Sequence, residues 1–261
     1  MKLLIINFSD SRGGAAIATH RIYSALRRKK IDVYLHVIDK NYKDKRIITS
    51  NKLYYIFSKI ADKLLDKIFY PKSKNCRAHS YNLIPTGSLK IINKISPDIV
   101  QLHWVGQNTI SIKEIGSIKV PIVWRLSDMW PMLGVDHYYN KKNLKKNLFN
   151  IDLHIRRLKK KYWTNNINYI APSSWMKHKL DNSILTKNNY NQIIPNAIDT
   201  SFWKSQNKKK TKEKFNIKKK FVITYGATFV DDSRKGFKYL LKSLNLLKFN
   251  YILILFGHIA D

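Results

Sequence analysis

The sequence predicts an α/β fold: a Rossmann-like parallel sheet with helices on both faces, followed by an incomplete second domain of the same kind. Short, almost continuously apolar runs alternate with helical patterns, an order typical of parallel strands buried on both faces. The runs at residues 2–8 and 31–38 enclose a helical segment and form a βαβ unit. A second such unit begins at residues 221–227, and its next strand spans residues 251–257.

The composition limits the possible partners of the chain. It has 49 Lys and Arg against 17 Asp and Glu, a net charge of +32, which favours nucleic acid, anionic lipid or a phosphorylated substrate. Lys, Asn and Ile are all abundant, as in proteins of AT-rich genomes, so the charge does not indicate which of these binds. The single cysteine, Cys76, excludes an internal disulfide and a cysteine-based zinc site.

The hydropathy pattern indicates a protein of the cytoplasm. No apolar run approaches the ~20 residues that are needed to cross a membrane. Residues 1–8 contain one lysine and no small-residue cleavage site, so they predict a first strand rather than a signal peptide.

Residues 9–16 connect the first strand to the first helix and contain the pair Gly13 and Gly14. Because glycine has no Cβ, this pair lets backbone N–H groups approach an anion at the N-terminus of the helix. The same pair also suits a tight strand-to-helix turn, and no G-x-G-x-x-G fingerprint is present. Both interpretations stay open on the spacing alone.

Residues 52–70 carry apolar residues at spacings of three and four, which predict an amphipathic helix. Lysines beside the apolar stripe and aromatic residues at both ends are typical of a helix that lies in a membrane interface. An ordinary helix packed on the sheet fits the pattern as well and is slightly favoured. The stripe consists of Leu53, Ile56, Phe57, Ile60, Leu64 and Ile68.

Two further segments concern the surface of the protein. Residues 71–85 are polar and irregular, and they predict a mobile loop that holds Cys76. Residues 144–162 predict a strongly basic helix, and its run at residues 156–161 is a second candidate for contact with anionic lipid.

The middle of the chain predicts a strand at residues 99–104 between short helices at residues 87–95 and 110–115. His103 lies at the carboxyl end of this strand, beside Gly106. A histidine in such a place is more often a hydrogen-bonded structural group than a base.

The apolar run at residues 121–126 predicts another buried strand, and the chain turns polar at Ser127 and Asp128. Pro131 and Gly134 exclude a regular helix and predict a loop. In an open α/β sheet, a loop that leaves the carboxyl end of a buried strand is where ligands bind. A structural loop whose aromatic residues close the edge of the core is the alternative.

This loop resembles a pattern of the family 4 glycosyltransferases of bacterial surface-polysaccharide clusters, the colanic-acid and O-antigen type. There the pattern is approximately His-Asp-Met-Trp-Pro, then Gly, then His-Tyr. Ser127 stands where the family usually has His, and Asp136 stands where it usually has Cys. The matching residues are Asp128, Met129, Trp130, Pro131, Gly134, His137 and Tyr138.

Two later segments carry the same resemblance. Residues 168–175 resemble the family's strand that ends in Pro-Ser-x-Trp. Residues 195–199 resemble its Pro-Asn-Gly-Ile-Asp crossing between domains, with Ala197 in place of Gly. The resemblance covers essentially the whole chain, but the chain covers only about two-thirds of the family's length and lacks its paired-glutamate motif. It therefore resembles a truncated product, a fragment, or one part of a split gene.

The resemblance implies the two-domain architecture called GT-B. Residues 1–203 would form the acceptor-side domain, and residues 204–261 would begin the domain that binds a nucleotide sugar. It also implies a retaining transfer from the nucleotide sugar to a glycan or lipid-linked glycan, with no metal or other cofactor. Because so short a second domain buries little surface, the chain as given is expected to transfer sugar poorly.

The resemblance also implies the site residues. Asp128, His137 and His103 are the candidates for catalysis or for contact with acceptor hydroxyls. Trp130 and Tyr138 are the candidates for binding the acceptor. Cations and backbone dipoles stabilise a leaving diphosphate, and the donor-phosphate candidates are Gly13, Gly14, Arg234 and Lys235.

The two cations of the predicted donor site match the family only in part. Lys235 before Gly236 matches the family, but Ala227 stands where the family commonly has its other cation, and Arg234 is the candidate substitute. In a chain so rich in lysine, a solvated charge pair is the alternative for both residues.

Two other classes of protein compete with the enzyme. A catalytically inactive remnant would still bind anionic membrane or an acceptor. A nucleic-acid-binding protein would fit the net charge, but no helix-turn-helix, zinc-finger or aromatic RNA-binding pattern supports it, so no nucleic-acid partner is expected. The enzyme would work in the cytoplasm, with peripheral contact at the inner face of the cell membrane.

Overall fold

The structure is a computed structural model that describes residues 1–50, 52–70, 79–139, 150–164, 167–217 and 221–258. It contains two compact units, Met1–Ala197 and Ile198–Asp261, each of which is described by itself. The sequence places the domain boundary slightly later, between residues 203 and 204. Cys76 and residues 144–149 of the predicted basic helix lie outside the described residues.

The first unit is built on a parallel sheet. Its strands are β1 (Lys2–Ile6), β2 (Asp32–Val37), β3 (Ile47–Thr49), β4 (Ile99–Leu102), β5 (Ile122–Arg125), β6 (Ile167–Ala171) and β7 (Asn191–Ile193). Their order is β3-β2-β1-β4-β5-β6-β7, and every neighbouring pair is parallel, which confirms the predicted fold class. The order reverses between β1 and β4, and the carboxyl ends of the strands at such a reversal are where open α/β sheets bind ligands.

Hydrophobic clusters cover both faces of this sheet. Leu3 and Ile5 of β1 belong to one cluster, which includes Tyr23 from the first helix, whereas Leu4 and Ile6 belong to the other. Because successive side chains of a strand point to opposite faces, a strand apolar at every position is buried on both sides.

The described part of the first unit contains six α-helices: α1 (Gly13–Arg28), α2 (Lys52–Phe69), α3 (Ser88–Ile95), α4 (Ile112–Gly116), α5 (Ile151–Tyr162) and α6 (Ser174–Asp181). Helix α4 begins two residues later than predicted, because Ser111 acts as its N-cap and accepts a hydrogen bond from the Glu114 backbone N–H. Ser173 caps α6 in the same manner. Among the described helices, none is long and apolar enough to cross a membrane.

Helix α2 confirms the helix that the sequence predicts at residues 52–70. The expectation that this helix packs on the sheet through its apolar stripe is wrong. All six residues of that stripe are exposed, between 51% and 67% of their surface. Ser58, on the opposite side, is the buried residue of the helix. The helix therefore contacts the rest of the unit through its more polar side.

The segment before α3 is packed, where the sequence predicts a mobile loop. Residues 71–78 lie outside the described residues, but Ser80, Tyr81 and Asn82 are fully buried. The Asn82 side-chain amide donates to the carbonyl oxygens of Val105 and Ile110, at 2.7 Å each. Buried polar side chains are tolerated here because the ends of neighbouring elements satisfy them.

The second unit has the predicted βαβ order. Strands β8 (Phe221–Phe229) and β9 (Tyr251–His258) pair in parallel, and helix α8 (Phe237–Leu244) lies between them in sequence. A short helix, α7 (Lys208–Lys214), precedes them. Gly236 has a φ of 81° at the start of α8, a left-handed conformation that favours glycine.

Candidate active site at the carboxyl edge of the sheet

The loops after β1 and β4 are joined at the carboxyl edge of the sheet. The backbone N–H of Trp104 donates to the Asn7 side-chain oxygen at 3.0 Å, and the backbone N–H of Phe8 donates to the Trp104 carbonyl oxygen at 3.0 Å. The Phe8 and Trp104 rings meet edge to face, with centroids 5.5 Å apart. This junction lies at the reversal of strand order, where open α/β sheets bind their ligands.

Asp128 is the centre of a buried hydrogen-bond cluster beside this junction. One carboxylate oxygen accepts from Trp104 Nε1 at 2.5 Å and also bonds His137 Nδ1. The other oxygen accepts from the Trp130 backbone N–H at 3.0 Å. Because a carboxylate only accepts, His137 carries a proton on Nδ1, and the three donors fix the position of the carboxylate.

Ser80 completes the cluster on the far side of the imidazole. Its Oγ lies 2.7 Å from His137 Nε2 and accepts from the Gln107 backbone N–H at 2.8 Å. A Cβ added to Gly106 would lie 2.6 Å from His137 Cε1 and 2.9 Å from Ser80 Oγ, so only glycine fits against the ring. The sequence Ser–His–Asp is that of a hydrolytic triad. Here Ser80 is fully buried, so it orients the imidazole and does not reach a substrate.

Lys159 of α5 holds the loop that carries this cluster. Its buried ammonium donates to the carbonyl oxygens of Trp130, Leu133 and Gly134 at 2.6, 2.8 and 2.8 Å. It also lies 3.6 Å from the centroid of a Trp130 ring, a cation–π contact. The ammonium thus satisfies the carbonyl groups of an irregular loop that has no ladder partners.

His103 is buried at the end of β4, but its surroundings differ from those of the Asp128 cluster. It is 2% exposed, and within the described part of the chain neither ring nitrogen has a hydrogen-bond partner. Burial, with a smaller effect from the charge of Arg125, lowers the pKa of His103 from 6.5 to about 3. An unpaired imidazole in the interior is costly, and such groups are found where function requires them.

The Gly13–Gly14 turn leaves the N-terminus of α1 open. Gly13 has a φ of +85°, which favours glycine, and Arg12 at the N-cap makes no side-chain capping bond. A Cβ added to Gly14 would meet nothing within 4 Å. Packing in the described part of the chain therefore gives no reason for glycine at position 14.

Arg234 and Lys235 lie in the second unit, in a short 3-10 turn before Gly236. Arg234 Nε donates to both carboxylate oxygens of Asp232, at 2.9 and 3.1 Å, and this contact lowers the pKa of Asp232. Part of the Arg234 charge is thus already neutralised, whereas the Lys235 side chain is exposed.

The structure brings some of the predicted residues together and separates others. Asp128 and His137 form one cluster, and Tyr138 beside them is 45% exposed. Trp130 is 1% exposed and packs among Trp124 and Trp163, so contact with an acceptor would require it to leave the core.

Three residues of the cluster were not predicted from the sequence: Ser80, Trp104 and Lys159. Ser80 lies in the segment predicted to be mobile, and Lys159 lies in the basic run predicted to contact lipid. A signal for Lys159 existed, because it falls four residues after Ile155 and on the same buried side of α5. No group of three or more potential metal ligands occurs in the described ranges of the chain.

The fold of this chain is similar to that of two solved structures. Anabaena Alr3699/HepE in complex with UDP and glucose matches with a TM-score of 0.60 and 14% identity, over 100% of this chain and 62% of HepE. WaaG, a glycosyltransferase involved in lipopolysaccharide biosynthesis, matches with a TM-score of 0.56 and 13% identity, over 99% of this chain and 64% of WaaG. At these identities the similarity establishes the fold alone.

The chain spans less than two-thirds of the length of HepE and WaaG. The sequence matches no protein-family model, and no curated protein matches it. The similarity in fold agrees with the GT-B type of architecture that the sequence predicts.

Proposed function

We propose that the chain belongs to a retaining glycosyltransferase that moves a sugar from a nucleotide sugar to a glycan or lipid-linked glycan of a bacterial surface polysaccharide. The observation that carries the proposal is the uncapped N-terminus of α1 at the switch point of the sheet. Its Gly14 has no packing role, and the Asp128–His137 cluster lies along the same carboxyl edge. The sequence resemblance and the similarity in fold support the same class.

The open helix end would stabilise the leaving diphosphate. Backbone N–H groups at a helix N-terminus carry partial positive charge, and they already point toward a bound anion before the reaction begins. HepE was solved with UDP and glucose, which supports a uridine nucleotide as the first donor to test. Lys235 is the second candidate for the phosphates, since its ammonium is exposed, whereas Arg234 is engaged by Asp232.

The Asp128 cluster would position the acceptor. Its carboxylate already accepts three hydrogen bonds, so Asp128 acts by fixing the imidazole and the loop. Tyr138, which follows the cluster directly, is exposed and offers a hydroxyl and a ring to a sugar. His103 is the neutral imidazole at the neighbouring strand end, and its low pKa keeps it uncharged at neutral pH.

Calorimetry with UDP and GDP on the purified chain tests the donor site, with Gly14→Ala as the variant. Because the added methyl group meets nothing and alanine favours a helix, this variant should be as stable as the parent or more so, by up to ~1 kcal/mol. It should bind the nucleotide at least ~10-fold more weakly, since the methyl group stands between the phosphates and the helix.

Ile17→Ala serves as the control, because Ile17 is exposed on the same helix and lies outside the turn. Equal nucleotide binding by the parent and Gly14→Ala would remove Gly14 from the site. Absence of binding to either nucleotide would favour an inactive remnant.

A further inference from the structure

Helix α2 is attached to the first unit through two carboxylates. Asp62 accepts from the Asn108 side-chain amide at 2.6 Å. Asp66 accepts from the Tyr81 hydroxyl at 2.8 Å and also contacts His79 Nδ1 at 2.9 Å. These are the acidic residues of α2, and both face the protein.

The opposite face of α2 presents apolar side chains to the surroundings. A helix normally buries its apolar stripe and exposes its charged side, so the orientation of α2 is inverted. An exposed contiguous apolar patch of this kind marks an interaction surface. Its residues are Leu53, Ile56, Phe57, Ile60, Leu64 and Ile68, here called the outer stripe.

The charged residues that flank the outer stripe are mainly lysines. Lys63 and Lys67 are exposed, and with Lys59 they follow one another at intervals of four residues, which forms a row along one flank of the stripe. Asp62 and Asp66 are hydrogen-bonded to Asn108 and Tyr81, and two acids do not balance the lysines of the helix, which therefore carries a net positive charge. Lys40, Lys43 and Lys52 line an open surface depression beside the start of α2.

We propose that the outer stripe of α2 lies in the interface of an anionic lipid bilayer. Apolar side chains on one face with lysines along the flank are the pattern of helices that lie in the plane of a membrane. Anionic headgroups would pair with the lysine row while the outer stripe enters the acyl boundary. A second copy of the chain has no such charge complementarity to offer, and antiparallel packing of two α2 helices would bring their lysine rows together.

The attachment of α2 relates this membrane surface to the carboxyl edge of the sheet. The Tyr55 ring lies 6.2 Å from Phe8, which follows β1, and Asp62 bonds Asn108, which follows β4. The bilayer would therefore lie beside the loops of the candidate site, and a lipid-linked acceptor would be delivered from it. This choice of acceptor rests on the proposed function, whereas the membrane contact does not.

An environment-sensitive fluorophore on the outer stripe tests the contact. In a Cys76→Ser background, Ile60→Cys carries the probe, and the protein is mixed with phosphatidylcholine vesicles with or without phosphatidylglycerol. We expect a blue shift with the anionic vesicles only, persisting at moderate salt because the apolar side chains are inserted. Ile184→Cys is the control, since Ile184 is 76% exposed in the same unit but lies outside α2. Equal shifts at both positions, or none at position 60, would overturn the proposal.

Paired substitutions separate insertion from the general attraction of a basic protein to anionic lipid. Phe57→Ser combined with Leu64→Ser should weaken binding to the anionic vesicles about tenfold, because apolar insertion is lost while every charge remains. Ile184→Ser should leave binding unchanged. Sedimentation of the same proteins without lipid tests whether a second copy of the chain covers the outer stripe instead. If the parent is a dimer and the double variant is a monomer, the outer stripe binds a second copy and the membrane proposal fails. Vesicle binding needs no nucleotide, so its outcome is independent of the donor test.

Discussion

His103 and His36 are two buried imidazoles whose replacement by leucine should change stability in opposite directions. His36, on β2, hydrogen-bonds Ser88 Oγ at 2.9 Å and the Ile48 carbonyl oxygen at 3.2 Å. His103 has the same burial but no such partner among the described residues. The pair therefore isolates the effect of hydrogen bonding at equal burial.

The expected magnitudes at pH 7 follow from this difference. An unpaired buried polar group costs about 1–3 kcal/mol, so His103→Leu should raise the free energy of unfolding by about 1 kcal/mol after some loss to imperfect packing. His36→Leu should lower it by about 1–3 kcal/mol, because Ser88 and Ile48 lose a buried partner.

Lowering the pH should increase the gain in the free energy of unfolding that His103→Leu produces. Burial lowers the pKa of His103 from 6.5 to about 3, so the unfolded chain binds the proton first and the stability falls as the pH drops from 6.5 toward 3. Between pH 7 and pH 5 this loss amounts to about 2 kcal/mol, and leucine abolishes it. The pKa of His36, lowered to about 4 by burial, gives an acid loss of the same sign.

Urea unfolding followed by tryptophan fluorescence at pH 7 and pH 5 measures both effects. The reasoning about His103 is refuted if His103→Leu destabilises the protein at pH 7 as much as His36→Leu does. Under the proposed function, a more stable His103→Leu variant with weaker sugar transfer would indicate an imidazole kept for function at the expense of stability.

Two further predictions concern the support of the candidate site. Lys159→Met should lower the free energy of unfolding by about 3 kcal/mol, because three loop carbonyl groups lose their buried donor. Lys160→Met, on the exposed side of α5, is the control and should be neutral in the same urea assay. Gly106→Ala should destabilise by about 1–3 kcal/mol through the clash with His137, and a thermal midpoint equal to that of the parent would show that the ring has room to move.

Local sequence patterns predicted the strands well because burial on both faces leaves a simple signature. Residues 2–8 are apolar at nearly every position, and β1 is indeed covered by a cluster on each face. The periodicity of α2 was equally clear, but periodicity identifies an apolar face without identifying what covers it. The inverted orientation depended on partners distant in sequence, Asn108 for Asp62 and Tyr81 for Asp66.

The candidate site was predicted in part for the same reason. Asp128 and His137 lie nine residues apart in one recognisable loop. Ser80 and Lys159 reach that loop across long sequence separations, and a lysine in a basic run gives little indication that it is buried. The Trp130 indole illustrates the opposite error, since an aromatic residue in a loop suggested a binding surface but fills the core.

The separation in sequence of the residues around Asp128 has a consequence for folding. Ser80, Trp104, Asp128, His137 and Lys159 come from four segments of the chain, and each bond between segments closes a long loop. Closing a longer loop costs more chain entropy, so the Ser80–His137 bond, which spans 57 residues, should form later than the pairing of β1 with β2, in which Leu3 lies opposite Val33. A folding intermediate can thus hold much of the sheet before Ser80 is bound to its candidate functional edge.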